Sequence, residues 1–233
     1  MANPERSQTV EPDPLAILRA AHVFRHLSDA ARRSLAATVR VERCPSRTLL
    51  VSRTSPPQHL RYVAAGAVEP SLSSPSGREA RLPPTRVGEW ATWVSCFVDA
   101  QWAHDLWSAP GSVFVAFPIP SVRAAVGKNP DALLDVIELI GLRTRALVAW
   151  NLASNLASDE QRLARLILHF APRTDDRSTQ AEVTQEHLGQ FGFGSRQRVS
   201  RLMKNLEARG LIEVRYRRIT IGSVDKLRDF IAY

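Results

Sequence analysis

The densest chemistry in the sequence is a run of basic side chains near its C-terminal end. Between Ser195 and Arg218 stand Arg196, Arg198, Arg201, Lys204, Arg209, Arg215, Arg217 and Arg218, opposed only by Glu207 and Glu213. Guanidinium and ammonium groups displace condensed counterions from phosphates, so such a cluster suits a polyanionic partner. Arginine also forks onto guanine O6 and N7, and glutamine onto adenine, so Arg196, Gln197 and Arg201 are of types that read base edges. A basic helix face that only solvates itself has the same composition. Charge alone does not separate the two readings.

The elements that must position these groups do separate them. Thr184 with Glu186 and His187 reads as a helix start, with Leu188 and Phe191 on its inward face. Gly192 and Gly194 break that helix, and Ser195 is placed to cap a second one. In the second helix Val199, Leu202, Met203 and Leu206 recur at helical spacing, and Gly210 closes it. The following IEVRYRRITI alternates strand-like residues with arginines, as a wing would. Two short helices about a glycine turn, the second basic on its outer face, make the helix-turn-helix pattern.

Upstream, the hydrophobic period changes twice. Leu15 to Val39 is helical in period, with Leu15, Leu18, Val23, Phe24, Leu27 and Leu35 recurring and Ser28 as an N-cap. From Val41 to about Pro118, short β-prone pieces (48–51, 60–64, 67–72, 79–82 and 112–117) alternate with Pro, Gly and Ser clusters, which predicts a small antiparallel barrel or roll. The residues SSPSG at 73–77 read as a hairpin tip. Asn129 and Pro130 then open a long helix to about Leu156, with Leu133, Ile137, Ile140, Leu147 and Val148 near one stripe. That stripe is either a buried core face or a seam for a second copy. Ser158, Asp159 and Glu160 cap a further helix over 161–170, and APRTDDRST reads as a loop.

The residues from 184 to 212 resemble the C-terminal domain of the CRP/FNR family of bacterial transcription regulators. Thr184, Leu188, Gly189, Ser195, Arg196, Gln197, Val199, Ser200, Arg201, Met203, Leu206, Gly210, Leu211 and Ile212 stand at positions matching the family pattern. The family's turn glycine falls at Phe193, flanked by Gly192 and Gly194, so the turn is re-formed; Gln197 stands where the family commonly has Glu. Upstream, HLRYVAAGAV, SGREARL and VGEW resemble the family's β-roll sensor domain, and the helix from Pro130 its dimerisation helix. The resemblance implies that Arg196, Gln197 and Arg201 read bases. It assigns Thr184, Ser195, Arg198, Lys204, Arg217 and Arg218 to phosphates, which position without specifying.

In cyclic-nucleotide-binding relatives a Gly-Glu pair and, about ten residues later, an Arg-Ser or Arg-Thr pair hold the cyclic phosphate. Anchored on Gly88-Glu89-Trp90, this sequence has Thr92-Trp93 and Ala103-His104 there, and no arginine lies between Arg86 and Arg123. The expectation is no cyclic AMP binding. Trp90, Trp93, Trp102 and Trp107 crowd the segment with Phe97, giving either a filled core or a pocket for a hydrophobic effector lined by Trp90, Trp93, Trp102 and His104. His104-Asp105 reads as a surface pair, since no nucleophile accompanies it.

The whole chain carries 31 Lys and Arg against 23 Asp and Glu, a formal charge of +8 over 233 residues. The polar, proline-bearing start reads as a disordered lead-in, and the longest apolar-leaning runs, such as 133–140, fall well short of the roughly 18 residues that span a bilayer. A cytoplasmic protein with no membrane partner is expected. Cys44 and Cys96 form no CxxC, which argues against a disulfide framework, a zinc ribbon or an iron–sulfur cluster, and Cys44-Pro45 is a weak haem dipeptide. With no Gly-rich phosphate loop, paired-His motif or GxSxG, no enzyme, metal or cofactor is expected.

The expected fold is α+β. A lead-in (1–14) precedes an antiparallel, jelly-roll-like β-roll (15–128), a dimerisation helix (129–157) and a winged helix-turn-helix (158–233). The expected function is a homodimeric regulator reading palindromic double-stranded DNA, with RNA polymerase a further possible partner and the effector unknown. The rivals are a protein-binding module with a vestigial sensor domain, and a regulator gated by a hydrophobic or redox effector.

Overall fold

The computed structural model describes residues 11–73, 79–98, 104–171, 179–181, 185–189, 191–193, 195–215 and 218–231. The chain divides into two compact units, 1–69 with 84–142, and 70–83 with 143–233. The first begins with α1 (Pro14–Ala20), whose N-cap Asp13 accepts from the amides of Leu15 and Ala16, and α2 (Asp29–Ala36), capped by Ser28 through the Ala31 amide. Leu18, Phe24, Leu27 and Leu35 bury the apolar side of this segment.

The strands are β1 (Arg40–Cys44), β2 (Leu49–Val51), β3 (His59–Ala65), β4 (Ala67–Ser73), β5 (Glu79–Arg81), β6 (Thr85–Arg86), β7 (Trp90–Ala91), β8 (Asp105–Ser108) and β9 (Ser112–Pro118). One sheet runs β1-β9-β3-β7 and the other β2-β8-β4-β5, with β6 also on β4; every registered pair is antiparallel. The predicted roll is therefore present, with four strands that patterning missed. Of these, β6 and β7 are two residues each, and β1 reads RVERC, where charges obscure the alternation. The predicted hairpin tip falls largely on 74–78, outside the described residues, but β4 and β5 pair from Ser71↔Arg81 to Ser73↔Glu79 on either side of it.

Alternation along the strands assigns two cores. Val63, Val68, Leu106 and Phe114 form one, with Cys44, Val51 and Ala91. Leu60, Val115 and Phe117 turn the other way and join Leu18, Phe24 and Leu35. Gly66, at φ +75°, lets β3 turn directly into β4; a Cβ there would lie 2.1 Å from Ser112 Oγ, the group that accepts from the Ala67 amide.

A helix absent from the sequence reading, α3 (Ile119–Val126), follows β9 and buries Ile119, Val122 and Val126. Its eight residues, with Pro120 in the first turn, are too short to show a period. The long helix α4 spans Pro130–Leu156 as expected, and Asn129 Oδ1 accepts from the amides of Asp131 and Ala132. It carries two apolar faces where one stripe was read. Ala132 and Val136 are buried with Leu133, Leu139 and Ile140 packed beside them, whereas Leu134, Ile137, Leu142, Leu147, Val148, Leu152 and Leu156 are exposed. The buried Asp135 carboxylate holds α4 to the N-terminal segment through Arg25 at 2.7 Å and His26 at 2.9 Å. Imidazole and carboxylate atoms of His22, Asp135 and Glu138 also cluster within 4.8 Å, and the Arg25 guanidinium lies between the two carboxylates. No helix among the described residues is long and apolar enough to cross a membrane.

The second unit holds α5 (Asp159–Phe170), β10 (Thr179–Ala181), α6 (Gln185–Gly189), α7 (Arg196–Ala208), β11 (Ile212–Arg215), β12 (Arg218–Ile221) and α8 (Val224–Ile231). The strands form an antiparallel sheet ordered β10-β12-β11. Leu163, Leu166 and Ile167 of α5, Leu188 of α6, the four inward residues of α7, and Ile219 and Ile221 build one core. Ser158 and Gln161 cap α5 reciprocally, side chain to backbone in both directions.

Candidate nucleic-acid interface

Helix α7 starts where Ser195 Oγ accepts from the Arg198 amide at 3.2 Å. It stops at Gly210, whose φ of +67° lets its amide reach the Glu207 carbonyl and the Leu211 amide reach the Leu206 carbonyl. These two bonds form a Schellman motif. The preceding turn is indeed re-formed. Gly192 takes the left-handed φ (+86°), and Phe193 is buried with the Arg162 guanidinium 5.3 Å from its ring centroid.

At 3.6 residues per turn, α7 divides into three faces. Val199, Leu202, Met203 and Leu206 face the core. Arg196, Gln197, Ser200, Arg201 and Lys204 project together and, with Gln185 of α6, line a concavity of about 540 Å3. Among the described residues, none of Arg196, Arg201 and Lys204 has a carboxylate partner, so their charge faces solvent. The third face carries Arg198 and Asn205 toward α5: Arg198 is ion-paired with Asp159, and Asn205 Nδ2 donates to Glu160 Oε1 at 3.1 Å. That hydrogen bond is the main reason the Glu160 carboxyl is held below the usual range. Behind the helix, Glu207 Oε1 accepts from the Val214 amide at 2.8 Å and pins the wing strand β11 to α7.

The sequence-predicted base readers are thus brought together on one open face with Lys204. Ser195 lies at its N-terminal end, where its oxygen is used as a cap and its hydroxyl proton stays available. Arg198 lies on the flank instead, and Arg218 starts β12. Thr184 and Arg217 lie outside the described residues. Sequence reading missed Gln185, Asp159 and Glu160 as neighbours of the basic helix. The last two were visible only as helix caps, and their pairing across 39 and 45 residues has no local signal.

The sensor-side candidates are arranged differently. Trp90 and Trp93 are buried and interlock with Phe24, Tyr62 and Phe117, with ring centroids 5.1 to 5.9 Å apart. Thr92, which stands where the resemblance aligns a glycine, has φ +75° and ψ +17°, a left-handed backbone that a β-branched residue adopts only under constraint. Its hydroxyl donates to the His59 carbonyl at 2.6 Å. An arginine does reach this turn, from a place the sequence gap did not suggest. Arg123 of α3 donates to the carbonyls of Cys96 and Ser95, and so caps the turn 93–96. His104 is half-buried, and burial lowers its imidazole pKa against the pull of Asp105; Trp102 lies outside the described residues. The buried Cys96 thiol is pushed up to about 12 by burial, well away from a reactive thiolate.

Comparison with known proteins bears on both regions. Residues 161–230 match the family model of the Crp-like helix-turn-helix domain. The cAMP-activated global transcriptional regulator CRP of Salmonella typhimurium is 24 % identical over 188 residues, 78 % of this chain and 89 % of that protein. FixK2 from Bradyrhizobium japonicum superimposes with a TM-score of 0.73 at 14 % identity, covering 84 % of this chain and 98 % of that one. The c-di-GMP-responsive global regulator CLP of Xanthomonas campestris does so at 0.66 and 18 %, covering 83 % and 99 %. The resemblance to CRP/FNR regulators therefore holds for the fold of the chain and, by family model, for its helix-turn-helix. Together these findings support a DNA-binding transcription regulator.

Proposed function

We propose that the chain acts as a homodimer in the cytoplasm, reading palindromic double-stranded DNA with α7 in the major groove and answering to no cyclic AMP. The observation that carries this reading is the outward face of α7. It presents two arginines, a glutamine and a lysine around one concavity, on a helix fixed by its cap, its Schellman stop and the Glu207 tie. Arg196, Gln197 and Arg201 are the base readers. Lys204, Arg218, the Ser195 hydroxyl, Thr184 and Arg217 contact phosphates and fix the register.

The exposed apolar face of α4 supports the dimer. Leu134, Ile137, Val148, Leu152 and Leu156, each more than half exposed, follow one another along a single stripe that includes the exposed Gly141. A second copy laid on this stripe about a two-fold axis buries it, and a C2 dimer reads two half-sites about 34 Å apart. The packed tryptophans and the Thr92-Trp93 pair support a sensor without a cyclic-phosphate site, so that abundance sets occupancy. RNA polymerase is the further partner of an activator; a partner-binding module has no observation of its own in its favour.

The test is selection of bound duplexes from a random pool by the purified chain at physiological salt, with no ligand added. A two-fold palindrome, unchanged when cyclic AMP is supplied, is expected. Binding that appears only with cyclic AMP, or enriched sites lacking two-fold symmetry, overturns the reading.

A further inference from the structure

Arg198 differs from the other cations of α7. Arg196, Arg201 and Lys204 face the concavity, whereas Arg198 is turned roughly 120° around the helix and spends its guanidinium on Asp159. Asp159 opens α5, where its charge already favours the helix N-terminus, and it also lies 3.4 Å from Arg162, the residue that packs over the Phe193 turn. One helical turn is thus a carboxylate clasp on the flank of the basic helix, with Asp159 gripping Arg198 and Glu160 gripping Asn205. The Arg198 side chain is still half exposed, so its pair is within reach of an arriving phosphate.

We propose that Asp159 governs DNA affinity by withholding Arg198 from the phosphate backbone, acting as a positioning residue that touches no nucleic acid itself. This deepens the DNA-binding reading and rests on it. A free arginine brought to a duplex releases condensed counterions and gains a charge-assisted bond. An arginine already neutralised by an internal carboxylate gains much less, because one ion pair must open for another to form. The restraint acts equally on every sequence, since phosphates carry none. It lowers non-specific and specific binding together and leaves base preference to Arg196, Gln197 and Arg201.

The experiment measures affinity for a selected duplex and for an unrelated one across a salt series, using the full chain and Asp159→Asn, Arg198→Gln and the double variant. Glu160–Asn205 and the Ser158 capping box remain in all of them, so α5 and α7 stay docked, and thermal melting checks this. Asp159→Asn is expected to tighten binding to both duplexes about five- to tenfold and to steepen the plot of log affinity against log salt by about 0.9, the increment for one added phosphate contact. Arg198→Gln is expected to change little alone and to cancel the gain in the double variant. Unchanged or weaker binding by Asp159→Asn overturns the proposal. So does a gain that survives the loss of Arg198, which would make Asp159 a general repulsive charge. Arg201→Ala, run alongside, separates the levels. If it weakens binding while Asp159→Asn does nothing, only this proposal fails; if no chain binds either duplex, the DNA reading fails with it.

Discussion

The turn around Thr92 and the turn around Gly192 are both places where a left-handed residue redirects the chain into a short helical segment, yet they have opposite surroundings. At Gly192 the strain-free residue occupies the turn, and the helix beyond it keeps Arg196, Arg201 and Lys204 in water. At Thr92 a branched residue holds the same kind of backbone by a part-buried hydroxyl bond. The segment beyond it, Trp93–Cys96, is packed shut, with Arg123 spent on its carbonyls. A site that must meet a ligand carries uncompensated charge on a rigid support. A site that has become core carries aromatic area and compensated polar groups. The contrast makes one region a matter of affinity and the other a matter of stability.

Trp93→Ala is the sharpest way to break that contrast. The indole is 2 % exposed, and its Nε1 proton has no acceptor among the described residues, so truncation is expected to lose packing rather than a hydrogen bond. Removing a buried Trp is expected to cost about 3–5 kcal/mol in denaturant unfolding of the roll, with little change in duplex affinity under conditions where the protein stays folded. Trp93→Phe, which also removes the unpaired donor, is expected to cost much less. A pocket for an aromatic effector would give the reverse: Trp93→Ala tolerated in stability and bound ligand lost.

Arg201→Ala probes the other side. Its side chain is exposed and lines the concavity, so unfolding is expected to move by less than about 0.5 kcal/mol. Duplex affinity is expected to fall by about 1–3 kcal/mol, roughly 5- to 150-fold, with base preference relaxed at one position of each half-site. Competition binding against single-base variants of the selected duplex measures both. A uniform loss across all variants would reduce Arg201 to a phosphate contact.

What could be read from the sequence follows the same divide. In the basic region nearly all the information is local. Ser195, Gly210 and the Val199, Leu202, Met203 and Leu206 spacing specify a capped helix and its inward face, and the structure has that helix and that face. What escaped there was long-range, as with the Asp159 grip on Arg198. In the roll, the strands with a clean alternation were legible, but β7 and the turn 93–96 were not. Trp90 and Trp93 bury themselves whatever the secondary structure, so their spacing carries no period. Helix α4 shows a third case. Apolar residues on two faces read as one stripe when the helix is assumed to have a single buried side, and only its packing divides Leu133 and Ile140 from Ile137 and Val148.

The smallest expected effect is also the most discriminating about how the shut turn is held. At Thr92 a left-handed φ costs a branched residue about 1–2 kcal/mol, a penalty glycine escapes. The hydroxyl bond to the His59 carbonyl offsets about 0.5–1.5 kcal/mol of that. Thr92→Gly removes the penalty and the bond together, and is expected to leave stability within about 1 kcal/mol of the parent. Thr92→Val keeps the branch and the strained φ but leaves the part-buried carbonyl without this donor, so it is expected to lose about 1–3 kcal/mol despite matching threonine in shape. Chemical unfolding of the three chains orders them directly. Glycine above valine means that the hydroxyl, and not the side-chain volume, keeps this backbone in place. Valine above glycine would mean that packing around Trp90 and Trp93 imposes the left-handed turn by itself.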